Sequence, residues 1–112
     1  LDSRDRLRVA AVTGMGFATF ENLLYVDGAL STLVLRAVTA VPLHLLVSLI
    51  LVHTAFPAAA GRPRLATALV AAVLIHGTYD LLLFLPSPFP FGAAVVVCAL
   101  IPVGVRIVRR AS

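Results

Sequence analysis

The sequence predicts an all-α membrane protein, a bundle of about four transmembrane helices, and three observations support this fold class. Of the 112 residues, 61% are hydrophobic and only 12% are charged, whereas a soluble domain is usually about 45–50% apolar and about 25% charged. The mean hydropathy is +1.06. Several nearly charge-free runs approach the roughly 20 residues that a helix needs to cross a bilayer. This composition excludes a disordered chain, an ordinary soluble domain and a nucleic-acid-binding module.

Residues that break helices separate four predicted helices. Asp27 and Gly28 form the first break, and residues 61–64, which read Gly-Arg-Pro-Arg, form the second. Three prolines within residues 86–90 end the third helix. We therefore expect a single transmembrane helical domain over residues 1–112, with helices at about residues 7–26, 29–56, 65–85 and 91–109.

The arginines predict how the chain crosses the membrane. All nine basic residues are arginine, and eight of them lie in three clusters that four crossings place on the same side. The positive-inside rule makes this side, with both termini, cytoplasmic. We therefore expect a multi-pass integral protein of a bacterial-type cytoplasmic membrane, surrounded by the lipid bilayer. The eight clustered arginines are Arg4, Arg6, Arg8, Arg62, Arg64, Arg106, Arg109 and Arg110.

Polar residues inside the predicted spans are the candidate functional residues, because an ionisable side chain at bilayer depth costs at least ~2.5 kcal/mol. They continue ridges of small residues that recur about every four positions and therefore share one helix face. Small residues let helices approach closely in lipid, so we expect three ridges to face one another around a polar interior. The ridges comprise Ala10, Gly14, Ala18 and Glu21 in the first helix, Thr32, Arg36, Ala40, His44 and Ser48 in the second, and Ala68, Ala72, His76 and Asp80 in the third.

The depth of each polar residue follows from a rise of ~1.5 Å per residue. Counted from the outer helix ends, Glu21, Arg36 and Asp80 lie ~8–11 Å deep, His76 ~14 Å and His44 ~22 Å. An ion pair of Arg36 with Glu21 or with Asp80 would offset the cost of both charges. Structural ion pairs and interhelical hydrogen bonds are the alternative explanation, although the set contains more aligned groups than holding three helices together requires.

Three further residues are predicted to play lesser roles. His53, off the ridge and near the cytoplasmic end of its helix, is expected at the membrane interface. Tyr79 lies beside the ridge and fits either a helix interface or the site. The lone Cys98 fits a small hydrophobic residue, and the fourth helix is expected to be peripheral and lipid-facing.

Three segments resemble the motifs of PrsW-type intramembrane proteases. Residues 14–25, GMGFATFENLLY, resemble the GFAxxENxxY motif. Arg36 and the later His44 are similar to the family's second block, an Arg and a His in one helix. Residues 76–80, HGTYD, resemble the family's HGxxD block and also the HxxxN/D element of the wider superfamily of CAAX prenyl endopeptidases and abortive-infection membrane proteins. The resemblance covers about residues 10–85.

One family motif has no counterpart in this sequence. The family's first motif is a Glu-Glu-x-x-Lys element in an earlier transmembrane helix, and the family uses it as the general base that activates water. Asp2 and Asp5 lie in a short charged lead and do not match it. The resemblance therefore implies either the C-terminal part of a larger protease domain or a degenerate member of the family.

The resemblance implies an intramembrane endopeptidase that cleaves a membrane protein substrate by activating water at a buried polar site. Peptide hydrolysis needs a base for the water and hydrogen-bond donors for the oxyanion. The residues assigned to catalysis are Glu21, Asn22, His44, His76 and Asp80. Those assigned to substrate binding or structural support are Arg36, Tyr25 and Gly77.

The sequence leaves the presence of a metal open. Two histidines with one or two carboxylates are ligand types of zinc, but the chain has no H-E-x-x-H signature, and the two histidines differ in depth. A metal-free site driven by Glu21 is the alternative. The candidate ligands of a divalent metal such as zinc are Glu21, His44, His76 and Asp80.

Two functions other than proteolysis also fit the residues. Without the Glu pair, the ridges would serve helix packing in a non-catalytic membrane scaffold or partner-binding subunit. Buried His and Asp residues also relay protons in transporters. Known transporters usually show internal repeats or broken helices, and this sequence shows no repeat.

Overall fold

The protein is described by a computed structural model, in which four helices form a bundle. The described residues are 2–28, 30–57 and 63–111, and every regular element among them is a helix. The all-α prediction is confirmed, whereas Gly61 and Arg62 of the second predicted break lie outside the described residues. The helices are α1 (Ser3–Leu23), α2 (Leu30–Ala55), α3 (Leu65–Phe84) and α4 (Pro90–Ala111).

Local chemistry explains where the first and last helices begin. α1 begins at Ser3 rather than at residue 7 because the Asp2 carboxylate caps it, accepting a hydrogen bond from the N–H of Asp5 at 2.8 Å. The same hydrogen bond lowers the pKa of the Asp2 carboxyl. α4 begins at Pro90, whose missing N–H costs nothing at the first position of a helix.

The central element of the bundle is α2. The other three helices all pack against α2, and α4 also packs against α3. Within the described residues, the backbones of α1 and α3 do not pack against each other. Successive helices run antiparallel. Glu21 near the end of α1 meets Arg36 near the start of α2, and Thr39 of α2 meets Tyr79 near the end of α3.

The predicted ridges of small residues are the packing faces of the flanking helices. Both ridges meet α2 rather than each other, so the polar face of α2 forms the common surface. Gly14 allows a close approach of α1 to α2, because a Cβ atom there would lie 2.7 Å from the backbone oxygen of His44 and 2.6 Å from Oγ of Ser48. The buried ridge residues are Ala10, Gly14 and Ala18 in α1 and Ala68 and Ala72 in α3.

The dimensions and surface of the bundle suit a bilayer. By length and composition, α2, α3 and α4 are able to cross a membrane. α1 carries charges in its first turns and Glu21 near its end, and its place as a fourth span remains a prediction. The bundle is 47 Å long, against about 40–45 Å for a bilayer with its headgroup regions. Large apolar side chains lie on its outside, among them Phe84 and Phe91, each 75% exposed.

One end of the bundle collects nearly all the arginines. The start of α1 and the end of α4 meet there, since Nε of Arg4 donates a hydrogen bond to the backbone oxygen of Ala111 at 3.2 Å. The end of α2 and the start of α3 join them, because the N–H of Arg64 donates to the backbone oxygen of Ala55 at 3.0 Å. We call this the arginine-rich end. Its described arginines are Arg4, Arg6, Arg8, Arg64, Arg106, Arg109 and Arg110. Its placement on the cytoplasmic side remains a prediction.

Candidate metal centre

Three side chains from three different helices converge on one point. Glu21 of α1, His44 of α2 and His76 of α3 each offer a ligand atom, and these atoms all lie within 4.8 Å of one another. Nε2 of His44 is 3.0 Å from Nε2 of His76 and 3.4 Å from Oε2 of Glu21. His44 is only 5% exposed, so the group lies at the inner surface of the bundle.

The depths expected for the two histidines are a poor guide to where their rings lie. Counting residues separates His44 from His76 by ~8 Å along the bundle, yet their Nε2 atoms are 3.0 Å apart. Every Cα–Cβ bond of a helix tilts toward the N-terminus of that helix. Because α2 and α3 are antiparallel, the two side chains lean toward each other along the bundle axis. The difference in depth between the two residues therefore does not prevent their side chains from sharing a metal ion.

The second nitrogen of each ring is fixed by a hydrogen bond. Nδ1 of His44 lies 2.7 Å from the backbone oxygen of Ala40, which can only accept, so this nitrogen donates. Nδ1 of His76 lies 2.9 Å from Oδ2 of Asp80, and a carboxylate likewise accepts. In neutral rings with these tautomers, both Nε2 atoms present lone pairs to each other. Asp80 contacts the far side of the His76 ring, so it orients this histidine from outside the ligand group.

This donor set fits a metal ion. Two nitrogen lone pairs and a carboxylate oxygen at these distances repel one another unless positive charge lies among them. Nitrogens bound to zinc at about 2.0–2.1 Å in a tetrahedral site lie about 3.3 Å apart. The two distances from Nε2 of His44, 3.0 Å to His76 and 3.4 Å to Glu21, are close to this value, and all three ligand atoms lie within 4.8 Å of one another. The hydrogen bonds on Nδ1 are the support that histidine ligands usually have. The group formed by Glu21, His44 and His76 is called the ligand triad below.

Arg36 anchors the carboxylate of the ligand triad. Its NH2 atom lies 2.8 Å from Oε2 of Glu21, and its Nε donates to Oδ1 of Asn22 at 3.2 Å. The ring of Tyr25 lies against the guanidinium, with 3.8 Å from Cζ to the ring centroid, a cation–π geometry. Of the two predicted ion pairs, Arg36 thus forms the one with Glu21, while Asp80 binds His76 instead.

A polar contact locks α3 against α2 next to the ligand triad. The hydroxyl of Tyr79, which is 1% exposed, lies 2.6 Å from Oγ1 of Thr39. Thr39 itself donates to the backbone oxygen of Leu35 at 2.7 Å, so Tyr79 is the donor of the pair. Tyr79 is therefore an interface residue, and Thr39 is its partner that the sequence did not single out. The available signal was the position of Thr39, three residues after Arg36 on the same helix face.

An open groove leads away from the ligand triad between α1 and α3. It has a volume of about 460 Å³ and is mostly apolar, with His44 and His76 in its wall. Gly77 borders the groove, and a Cβ atom at this position would meet nothing within 4 Å. Phe17, also missed by the sequence, lines the groove with its ring centroid 5.3 Å from that of His44. His53 lies outside the ligand triad, on a later turn of α2.

Comparison with known proteins gives a single kind of match. The chain matches the model of a family described as PrsW family intramembrane metalloprotease over residues 5–105. No curated protein and no solved structure matches the chain.

Proposed function

The chain belongs to the PrsW family of intramembrane metalloproteases, and from this premise we propose that it hydrolyses peptide bonds of a membrane protein at the ligand triad. The single observation that carries the proposal is the convergence of two histidine Nε2 atoms and a glutamate oxygen within 4.8 Å. The convergence brings together one residue from each of the three sequence motifs. The chain is an integral membrane protein, so its substrate meets the site in a bilayer.

The proposed metal is a divalent ion such as zinc, held by Glu21, His44 and His76. When bound, such an ion acts as a Lewis acid that polarises the scissile carbonyl and promotes ionisation of a water molecule. Asp80 keeps the Nδ1 proton of His76 in place, and the backbone oxygen of Ala40 does the same for His44. Both rings therefore keep Nε2 free to bind.

The charged neighbours of the triad have supporting roles. Arg36 neutralises Glu21, which lowers the cost of holding a carboxylate at bilayer depth. Because Oδ1 of Asn22 accepts from Arg36, the amide N–H₂ group of Asn22 is left to donate to the substrate carbonyl or the developing oxyanion. Tyr25 supports this arrangement through its ring contact with Arg36.

The groove between α1 and α3 is the proposed substrate site. Its apolar lining suits the side chains of a membrane-embedded segment, and its histidines lie where the scissile bond must come. Irregular backbone is tolerated at membrane depth only where it is buried in protein or lines a polar cavity. A substrate helix unwound along this groove meets that condition.

The test combines metal content with cleavage. The purified chain is assayed for bound zinc by elemental analysis and, in vesicles, for cleavage of a reporter membrane protein. We expect Glu21→Gln, His44→Ala and His76→Ala each to lose most of the bound zinc and to lower cleavage by about 100-fold, the upper end of the effect of removing a residue that only supports a ligand. His53→Ala, which removes the third histidine outside the triad, is the matched control and should keep both.

Two outcomes would count against the proposal. Undiminished cleavage in all three variants would remove the triad from catalysis. Bound metal that depends on the triad, together with no cleavage of any membrane substrate tried, would favour the non-catalytic scaffold.

A further inference from the structure

The arginine-rich end carries far more positive charge than its own acids balance. Seven described arginines lie there, as named above, against the two carboxylates Asp2 and Asp5. Both acids are engaged locally. Oδ1 of Asp5 lies 3.2 Å from NH1 of Arg8, and Oδ1 of Asp2 accepts from the N–H of Asp5. Within the described residues, the arginines of this end therefore outnumber its carboxylates.

Two of these arginines line a small cleft where α1, α2 and α4 meet. Arg6 and Arg110 lie on its wall together with Ser3 at the start of α1, His53 of α2 and apolar side chains of all three helices. Its volume of about 40 Å³ admits a few water-sized atoms, such as the oxygens of a phosphate. Neither guanidinium takes part in an ion pair with a described residue. We call this the basic cleft.

A second, apolar cleft adjoins the basic cleft. It runs between α1 and α4, has a volume of about 370 Å³ and is floored by Leu45 and Leu49 of α2. Its lining is mostly apolar, although Arg4 and Arg8 also border it. Leu7 and Ala111 line both clefts, so the two lie side by side. The volume lies within the about 300–1,000 Å³ typical of small-molecule sites. We call this the apolar cleft.

We propose that the two clefts form one binding site for an anionic phospholipid. The lipid phosphate lies between Arg6 and Arg110, and one acyl chain follows the apolar cleft over Leu45 and Leu49. Guanidinium groups suit phosphate oxygens in charge and geometry, and basic pockets between transmembrane helices bind anionic headgroups. A free phosphate ion would occupy only the basic cleft. A ligand that occupies both clefts needs a hydrocarbon chain beside its phosphate. This site does not depend on the proposed proteolysis.

The headgroup is tested on the purified chain in detergent by native mass spectrometry. The probes are phosphatidylglycerol, phosphatidylcholine with the same acyl chains, and inorganic phosphate. We expect retained phosphatidylglycerol and little phosphatidylcholine. Arg6→Gln and Arg110→Gln should each weaken retention about fivefold, the contribution of one basic residue to an anionic lipid. Arg109→Gln, an exposed arginine outside the basic cleft, is the matched control and should leave retention unchanged.

The acyl chain is tested by filling the apolar cleft without changing charge. Ala11 lines this cleft, so Ala11→Phe should reduce phosphatidylglycerol retention at least fivefold. Val12, 73% exposed, points away from the cleft, and Val12→Phe should retain the lipid. Circular dichroism shows whether each variant keeps its helices.

Three results would overturn the proposal. Equal retention of phosphatidylglycerol and phosphatidylcholine would show that the site does not select lipids by the charge of the headgroup. If Arg109→Gln and Arg6→Gln lost the same amount of phosphatidylglycerol retention, the lipid would be held by the general positive charge of this end and not by the basic cleft. Displacement of the lipid by an equimolar amount of inorganic phosphate would assign the basic cleft to the free ion.

Discussion

The Nε2 atoms of His44 and His76 lie 3.0 Å apart, although the two residues are 32 positions apart in the chain. Neither nitrogen carries the proton in the tautomers that the hydrogen bonds on Nδ1 select, so the contact between them calls for a cation or a shared proton. Four substitutions test the side-chain contacts and helix interfaces that hold the ligand triad together.

Asp80→Asn tests the support of His76. The neutral amide binds the Nδ1 proton less strongly and also permits the opposite ring tautomer, so zinc affinity should fall about 10–100-fold. Titration of the purified chain with zinc measures the change. Asp27→Asn, an exposed carboxylate in the turn after α1, is the control. Equal affinity of Asp80→Asn and the wild type would show that His76 needs no carboxylate partner.

Arg36→Gln tests the ion pair with Glu21. Arg36 is buried and the Glu21 side chain is only 19% exposed, so the substitution leaves a carboxylate without its partner. The free energy of unfolding in detergent should fall by about 3 kcal/mol, at the lower end for a broken buried pair because Glu21 keeps some exposure. Glu21→Gln in the Arg36→Gln background should recover part of the loss.

Arg8→Gln is the matched control for this pair. It breaks the ion pair of Arg8 with Asp5, whose side chains are 78% and 44% exposed. An exposed pair contributes about 0–1 kcal/mol. If the two arginine variants lost the same free energy of unfolding, the pair of Arg36 would have no special role.

Gly14→Ala tests the close approach of α1 to α2. The added Cβ atom would lie 2.7 Å from the backbone oxygen of His44, and a backbone atom cannot rotate away. We expect a loss of about 1–3 kcal/mol in the free energy of unfolding from overpacking. Gly16→Ala is the control, because a Cβ atom at Gly16 would meet nothing within 4 Å. Alanine favours the helix by up to about 1 kcal/mol over glycine, so an equal loss in both variants would contradict the packing argument.

Tyr79→Phe tests the polar lock between α3 and α2. It removes the hydrogen bond to Thr39, whose own hydroxyl still donates to Leu35, so no buried donor is left without a partner. The free energy of unfolding should fall by about 1 kcal/mol. Tyr25→Phe keeps the ring against Arg36 and should change stability by less than about 0.5 kcal/mol. A double-mutant cycle with Thr39→Ala measures the coupling, and a coupling near zero would show that the contact contributes nothing.

Features that depend on a single helix could be predicted from the sequence. The ridge of Ala10, Gly14 and Ala18 follows from helical periodicity, which needs no knowledge of neighbours. The similar depths of Glu21, Arg36 and Asp80, counted along each helix separately, predicted Glu21 or Asp80 as the partner of Arg36, but not which of the two. The placement of His76 and Asp80 on one face of α3 followed from their four-residue spacing, and this shared face allows their hydrogen bond.

Features that depend on how two helices meet could not be predicted. The contact of His44 with His76 arises from the opposite tilt of side chains on antiparallel helices, which a count of residues along each axis ignores. The pairing of Thr39 with Tyr79 depends on the rotation of α3 about its own axis. The apolar cleft depends on the distance between α1 and α4, and the periodicity of each helix sequence carries no information on that distance.

In the described chain, the backbones of α1 and α3 do not pack against each other, so the ligand triad is assembled on α2. The distance between the histidines depends on the interface of α2 with α3, and the position of Glu21 depends on the interface of α1 with α2. His44 belongs to both interfaces, since its Nε2 lies 3.0 Å from that of His76 and 3.4 Å from Oε2 of Glu21. A displacement of α2 at His44 therefore changes both distances of the triad at once.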